Sequence, residues 1–260
     1  AQGENLLIWT VTNGLCSLQD QVLIVNNQPS EPYAGLDYEE VCENSFQLKA
    51  ATPDYGTGQW TILEGGGTIS DYSNPRAVIS FLDHGTNRLR WTVTAGQCSL
   101  SDEVVIENNT PTKANAGPDI EDCKDWQILD GNIPAYGTGL WERISGYGDF
   151  MDAADPKTRV ENLGFGPNVF RWTITNGSCI STDEVMVFNK IPDKAFAGSD
   201  QTICEDYTVL NGNDPLTGVG TWSVVKGQGT FESPNAYNSR VVAVGFGENI
   251  FQWQINYGEC

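Results

Sequence analysis

The sequence predicts an all-β protein made of tandem β-sandwiches, and three observations carry that prediction. Glycine (28), proline (12) and tryptophan (8) are abundant among 260 residues while only 18% are charged, the composition of many short strands joined by turns. Seven cysteines fall into two series, Cys16, Cys98, Cys179, Cys260 and Cys42, Cys123, Cys204, which advance in steps of 81 or 82. Apolar residues occupy alternate positions before the second cysteine of each repeat, as in Leu89, Trp91, Val93 and Phe170, Trp172, Ile174, the period-two signature of a strand buried on one face.

The period also carries Trp60, Trp141, Trp222, then Trp9, Trp91, Trp172, Trp253, and the turns Gly56-Thr57-Gly58, Gly137-Thr138-Gly139 and Gly218-Val219-Gly220. Boundaries are expected at the proline-containing stretches around Pro29 to Pro32, Pro111 and Pro192. Residues 1–31 therefore read as the last part of a preceding repeat, 32–112 and 113–193 as complete repeats, and 194–260 as a repeat lacking its last strand. A window cut from a longer array explains both partial ends, and a last strand donated by a neighbouring subunit is the alternative.

Within the repeat 113–193, strands are expected near Ile120, at 126–129, 140–144, 149–151 and 158–160, then through Phe170–Ile174 and, after the Asn176-Gly177 turn, at 185–188. About seven short strands in 81 residues fit an immunoglobulin-like sandwich, repeated along a linear rod. Trp60, Trp91, Trp141, Trp172, Trp222 and Trp253 are the expected core, each contributing about 2–3 kcal/mol by burial.

Parity leaves the cysteine pairing open. Pairing inside each repeat joins Cys42 to Cys98, Cys123 to Cys179 and Cys204 to Cys260 and leaves Cys16 unpaired. Pairing across repeats joins Cys16 to Cys42, Cys98 to Cys123 and Cys179 to Cys204. The first is favoured, because closing a 56-residue loop inside a small domain stabilises it by roughly 3–4 kcal/mol. Either scheme implies an oxidising compartment. Cys123 precedes the second strand and Cys179 follows a turn, so the bridge departs from the antibody pattern.

A formal net charge of −20 excludes a nucleic-acid binder that works by neutralising phosphates. The single histidine, His84, excludes sites that need two imidazoles, and it stands where the other copies have Phe165 and Phe246, a packing position. No catalytic residue and no metal ligand set is expected: zinc lacks a CxxC pair, and Gly65-Gly66-Gly67, Gly146-Tyr147-Gly148 and Gly227-Gln228-Gly229 read as hairpin turns. Asp37, Asp119 and Asp200, with Glu121, Asp122, Asp102-Glu103 and Asp183-Glu184, offer oxygen ligands for calcium at repeat junctions, against a plainer reading as turn-capping or solvent-facing carboxylates. Trp126, Tyr207, Tyr55 and Tyr136 are candidate sugar-stacking aromatics, against ordinary surface exposure.

Ala116-Gly117-Pro118-Asp119, Gly137-Thr138-Gly139-Leu140-Trp141, Asn168 to Ile174 and Asn176-Gly177-Ser178-Cys179 resemble the PKD-like, immunoglobulin-like repeats of giant Bacteroidetes surface proteins, of which SprB-type gliding-motility adhesins are the best-known members. The resemblance covers the whole chain. It implies export by the type 9 secretion system, display at the cell surface through anchoring regions outside this chain, and a non-enzymatic role as a stalk segment in adhesion or gliding. Its implied partners are neighbouring repeats, the outer-membrane gliding and secretion machinery and surface polysaccharide. The alternative is a carbohydrate-binding or accessory module of a secreted glycan-degrading enzyme.

Overall fold

The computed structural model describes residues 2–37 and 39–260. All of its regular structure is β: a hairpin, β1 (Gly3–Asn13) and β2 (Cys16–Asn26), then three sandwiches in tandem. The first contains β3 (Glu39–Val41), β4 (Ser45–Gln47), β5 (Thr57–Glu64), β6 (Thr68–Ile69), β7 (Val78–Ser80), β8 (Gly85–Ala95) and β9 (Cys98–Asn108). Its sheets have the orders β3-β9-β8-β5 and β4-β7-β6, with β3 parallel to β9 and the other pairs antiparallel.

The second sandwich repeats this plan with β10 (Ile120–Asp122), β11 (Gln127–Ile128), β12 (Thr138–Ser145), β13 (Asp149–Phe150), β14 (Arg159–Glu161), β15 (Gly166–Asn176) and β16 (Cys179–Asn189), ordered β10-β16-β15-β12 and β11-β14-β13. The third has β17 (Thr208–Val209), β18 (Val219–Lys226), β19 (Thr230–Phe231), β20 (Arg240–Val242) and β21 (Ile250–Asn256), ordered β17-β20-β19 and β18-β21. The chain forms two compact units. One comprises Ala1–Thr112, Ala135–Gly137 and Thr175–Ile180, and the other Lys113–Pro134, Thr138–Ile174 and Ser181–Cys260.

Alternation in the sequence becomes alternation in burial. Along β8, Asn87, Leu89, Trp91, Val93 and Ala95 point into the core while the residues between them stay accessible. Trp60 sits directly opposite Trp91 in the β5–β8 register, with ring centroids 5.0 Å apart. Trp141–Trp172 and Trp222–Trp253 repeat the same 5.0 Å pair, tilted by 41° and 38°, so the six tryptophans named from sequence are all buried. The Gly-x-Gly-x-Trp motif exists because of this pair. A Cβ on Gly58, Gly139 or Gly220 would overlap the ring of Trp91, Trp172 or Trp253, so only glycine lets the neighbouring strand lie flat against the indole.

Buried indole N–H groups find carbonyl acceptors. Trp60, Trp141 and Trp222 donate to Asn74, Pro156 and Ala236 at 3.1–3.2 Å, while Trp172 and Trp253 donate to Asn132 and Asn213 at 3.2 Å. Among the described residues Trp91 Nε1 has no partner, and its sandwich is the one with Ala50 in place of the Gly131 and Gly212 that face the tryptophans of the other two.

The favoured within-repeat disulfides are corrected by the structure, which joins Cys42 to Cys179 and Cys123 to Cys260, each 137 residues apart, with Cα atoms 5.2 and 5.5 Å apart. The across-repeat alternative is not formed either. Cys98, Cys204 and Cys16 are free and exposed. Register explains why. Val41 pairs with Asn108 at one end of β9, whereas Cys98 opens its other end, ten residues or about 34 Å away. A disulfide needs Cα atoms within about 7 Å, so Cys42 cannot reach Cys98.

Candidate functional site

The chemistry-bearing residues that converge are those around the two disulfides. In the first unit, the end of β3 brings Glu40, Val41 and Cys42 beside Asn109, and the tip of the β15–β16 hairpin brings Gly177, Ser178 and Cys179 onto them. Asn176 and Cys179 close this hairpin over a two-residue loop in which Gly177 takes φ +58°, and Gly96 does the same in the β8–β9 hairpin at +59°. A Cβ on Gly177 would stand 2.5 Å from Glu40 Oε1 and 2.7 Å from Asn109 Nδ2, so any side chain at the tip must push these two groups aside.

Glu40 is the hub of this clasp. Its Oε1 accepts from Asn109 Nδ2 at 2.7 Å and from the Ser178 amide at 3.2 Å, and these two donors, Asn109 first, hold its carboxyl below the usual glutamate range. Cys179 Sγ lies 3.6 Å from the Val41 carbonyl oxygen. Alongside, Thr112 Oγ1 accepts from the Ala135 and Tyr136 amides at 2.9 and 2.8 Å, the Thr112 amide donates to the Tyr136 carbonyl at 3.0 Å, and the His84 ring stacks on Tyr136 at 3.5 Å.

The second unit contains a clasp of the same plan around Cys123–Cys260. Asp193 takes the place of Thr112, accepting from the Leu216 and Thr217 amides and the Thr217 hydroxyl, which together hold its carboxyl below the usual range, the hydroxyl contributing most. Phe165 takes the place of His84 and meets Tyr257 edge-on at 5.0 Å. Lys190 takes the place of Asn109. It is paired with Glu121, chiefly through a hydrogen bond that raises its pKa, and Glu259 and Tyr257 add to the rise. At the start of the first unit, Ser30 exchanges bonds with Tyr55, and Tyr55 Oη approaches Asn27 Oδ1 at 3.4 Å.

Most of the other candidates serve structural tasks, while Asp37 and Asp200 are exposed. Asp102 and Asp183 accept from the Ala34 and Ala116 amides at 2.8 Å, Asp119 accepts from Met186 N at 2.8 Å, and Glu103 and Glu184 pair with Arg90 and Arg171. Asp122 binds Lys124 and the Cys123 amide, which lower its pKa in that order. Among the described residues no three His, Cys, Asp or Glu are grouped to hold a metal ion. Arg159 stacks on Trp126 at 4.3 Å with Lys124 at 5.1 Å, and Arg240 covers Tyr207 at 4.3 Å, so cations sit over these rings.

Sequence reasoning missed Glu40, Asn109 and the Ser30, Thr112, Asp193 series. The last was visible: each follows a boundary proline, as Pro29-Ser30, Pro111-Thr112 and Pro192-Asp193, and each offers a side-chain oxygen able to accept backbone amides.

The fold is that of tandem immunoglobulin-like β-sandwiches. No family model and no curated protein sequence matches the chain. Solved structures similar to it include titin domains I67–I69 (11% identity, 85% of this chain and 89% of that one, TM-score 0.40). Drosophila OTK extracellular domains 3–5 (11%, 66% of each, 0.35) and the N-terminal eight Ig domains of Down syndrome cell adhesion molecule (9%, 96% of this chain and 45% of that one, 0.34) are also similar. These are likenesses of fold alone.

Proposed function

We propose that this chain is a mechanical stalk segment of a very large exported cell-surface adhesin, built from modules at 32–112, 113–193 and 194–260 with the end of another at 1–31. The observation that carries this reading is the pair of disulfides, Cys42–Cys179 and Cys123–Cys260, whose spans overlap. Each joins the cysteine after the first strand of one module to the hairpin tip of the following module, one period plus 56 residues along the chain. A disulfide placed there adds nothing to a single sandwich's core. It limits how far consecutive modules part under load, which is the demand on a fibre.

The PKD-like motifs support type 9 export, surface display and a part in adhesion or gliding. Disulfides suit an oxidising exterior, and the −20 charge keeps neighbouring fibres apart. Side chains at the clasps serve hydrogen bonding and stacking, so the role is structural and not catalytic. An antibody raised against the folded chain tests the reading on intact cells of the source organism by immunogold electron microscopy. Labelled filaments on the outer surface are expected, and label confined to the cytoplasm would contradict it. A glycan array run on the same purified chain is expected to be blank, whereas binding lost in Trp126→Ala would favour a carbohydrate-binding module.

A further inference from the structure

We propose that the first sandwich carries a docking groove for an extended peptide bearing a lysine or arginine, built between the edge of β5 and the loop that holds Asp71, Tyr72 and Ser73. The groove has a volume of about 760 Å³ and lies within a complete module, where β5 ends the sheet order β3-β9-β8-β5. That volume is ordinary for a ligand site. Backbone direction suits β5 to take a strand there. Trp60 turns its N–H away from β8 and donates it to the Tyr72 carbonyl at 2.8 Å. Because the groups of an antiparallel strand change sides at each residue, Gly58, two positions back, also turns its N–H and C=O outward, into the groove it lines. One residue of an antiparallel peptide exchanges two hydrogen bonds with such a pair.

The third sandwich shows which chemistry fits this place. Asn235 stands there at the position of Ser73, and its Nδ2 donates to the Gly220 carbonyl at 3.0 Å and to Thr221 Oγ1 at 2.9 Å, at the positions of Gly58 and Gln59. The chain's own carboxamide thus makes the bond that a peptide N–H would make. In the first sandwich Ser73 is shorter and turns its hydroxyl to Asp71 Oδ1 at 2.7 Å, so the Gly58 carbonyl still faces the groove. In the second, Leu140, Met151 and Ala154 replace Gln59, Ser70 and Ser73, and the first two of these apolar side chains are exposed. All three copies keep the same buried tryptophan pair, so the core does not demand this variation.

Two side chains set the preference for the occupant. Tyr72 is 45% exposed where the other copies have Ala153 and Pro234, and it offers an aromatic face to the peptide's side chains. Asp71 sets the charge. The Ser73 hydroxyl and then the Ser73 amide hold its carboxyl below the usual aspartate range, so it is ionised at neutral pH and favours a cationic neighbour. The net charge of −20 draws the same kind of segment from a distance.

Peptide docking is independent of where the chain is displayed. The test titrates the isotope-labelled full chain, followed by amide NMR shifts, with two pools of acetylated and amidated pentapeptides rich in Val, Ile, Thr and Tyr. One pool has lysine fixed at its central position and the other glutamate. Shifts centred on Gly58, Gln59 and Ser73 are expected with the lysine pool, at an affinity about two- to fivefold above that of the glutamate pool. Ser73→Asn, which sets the third sandwich's amide over Gly58, is expected to weaken binding about tenfold with circular dichroism unchanged. Tyr72→Ala, which keeps the carbonyl that Trp60 uses, is expected to weaken it several-fold. Asp71→Asn, which keeps an acceptor for Ser73, is expected to erase the preference for lysine. An absence of shifts at Gly58 with both pools, undiminished binding by Ser73→Asn, or shifts produced by N-acetylglucosamine and by no peptide would each overturn the proposal.

Discussion

Because the two disulfide-closed spans overlap, removing one clasp and removing both have very unequal effects on how far the chain extends under tension. With both closed, the shortest covalent route between the termini runs from residue 1 to Cys42, crosses to Cys179, returns to Cys123 and crosses to Cys260, about 97 residues of backbone. At a maximum of about 3.6 Å per residue this is about 350 Å. In Cys42→Ser the route runs directly to Cys123 and across to Cys260, longer by only about 25 residues, or about 90 Å. With both clasps gone the full backbone is released, about 162 residues more than the closed state, or about 580 Å. The double change is therefore about three times the sum of the two single changes, and Cys98→Ser changes nothing. Single-molecule force spectroscopy with handles at the two termini reads these lengths. Additive single and double variants, a gain of about 200 Å from Cys42→Ser, or any gain from Cys98→Ser would refute the overlapping connectivity.

Gly139→Ala, which drives a methyl into the Trp172 ring, is expected to destabilise the second sandwich by about 1–3 kcal/mol in urea unfolding followed by tryptophan fluorescence. Gly177→Ala crowds Glu40 and Asn109; reduction of Cys42–Cys179 by dithiothreitol is expected to quicken several-fold while Cys123–Cys260 reduces at its original rate. The carboxyls of Glu40 and Asp193 are more acidic in the closed clasps than when free. Their contribution is thus complete above the ordinary carboxylate range and is lost as pH falls through their lowered values. Protection of the Ser178 amide, corrected for intrinsic exchange, is expected to decline across that acidic window in the wild-type chain and not in Glu40→Gln.

Strand positions were legible because each has a local signal. Trp91 and Trp172 lie on strict alternation, Gly58 and Gly139 precede tryptophans, and Asn176-Gly177 announces a reversal, so β8, β12, β15 and their partners fall where expected. The third sandwich follows from the period alone. The clasp was not legible, because cysteine spacing constrains pairing only through parity and loop length, which favoured the 56-residue loop. What excludes that loop is the parallel pairing of β3 with β9, which places Cys42 at the far end of the strand that Cys98 begins. No local pattern encodes that pairing. The departure from the antibody cysteine positions was the available warning: a cysteine after a first strand and a cysteine at a hairpin tip lie at opposite ends of a sandwich, and so face different neighbours.

Non-reducing proteolysis followed by mass spectrometry tests the disulfide connectivity on which the whole account stands. Peptides joined through Cys42–Cys179 and Cys123–Cys260, with Cys98 and Cys204 alkylated, are the expected products of the freshly purified chain. Peptides joining Cys42 to Cys98 or Cys123 to Cys179 would contradict it.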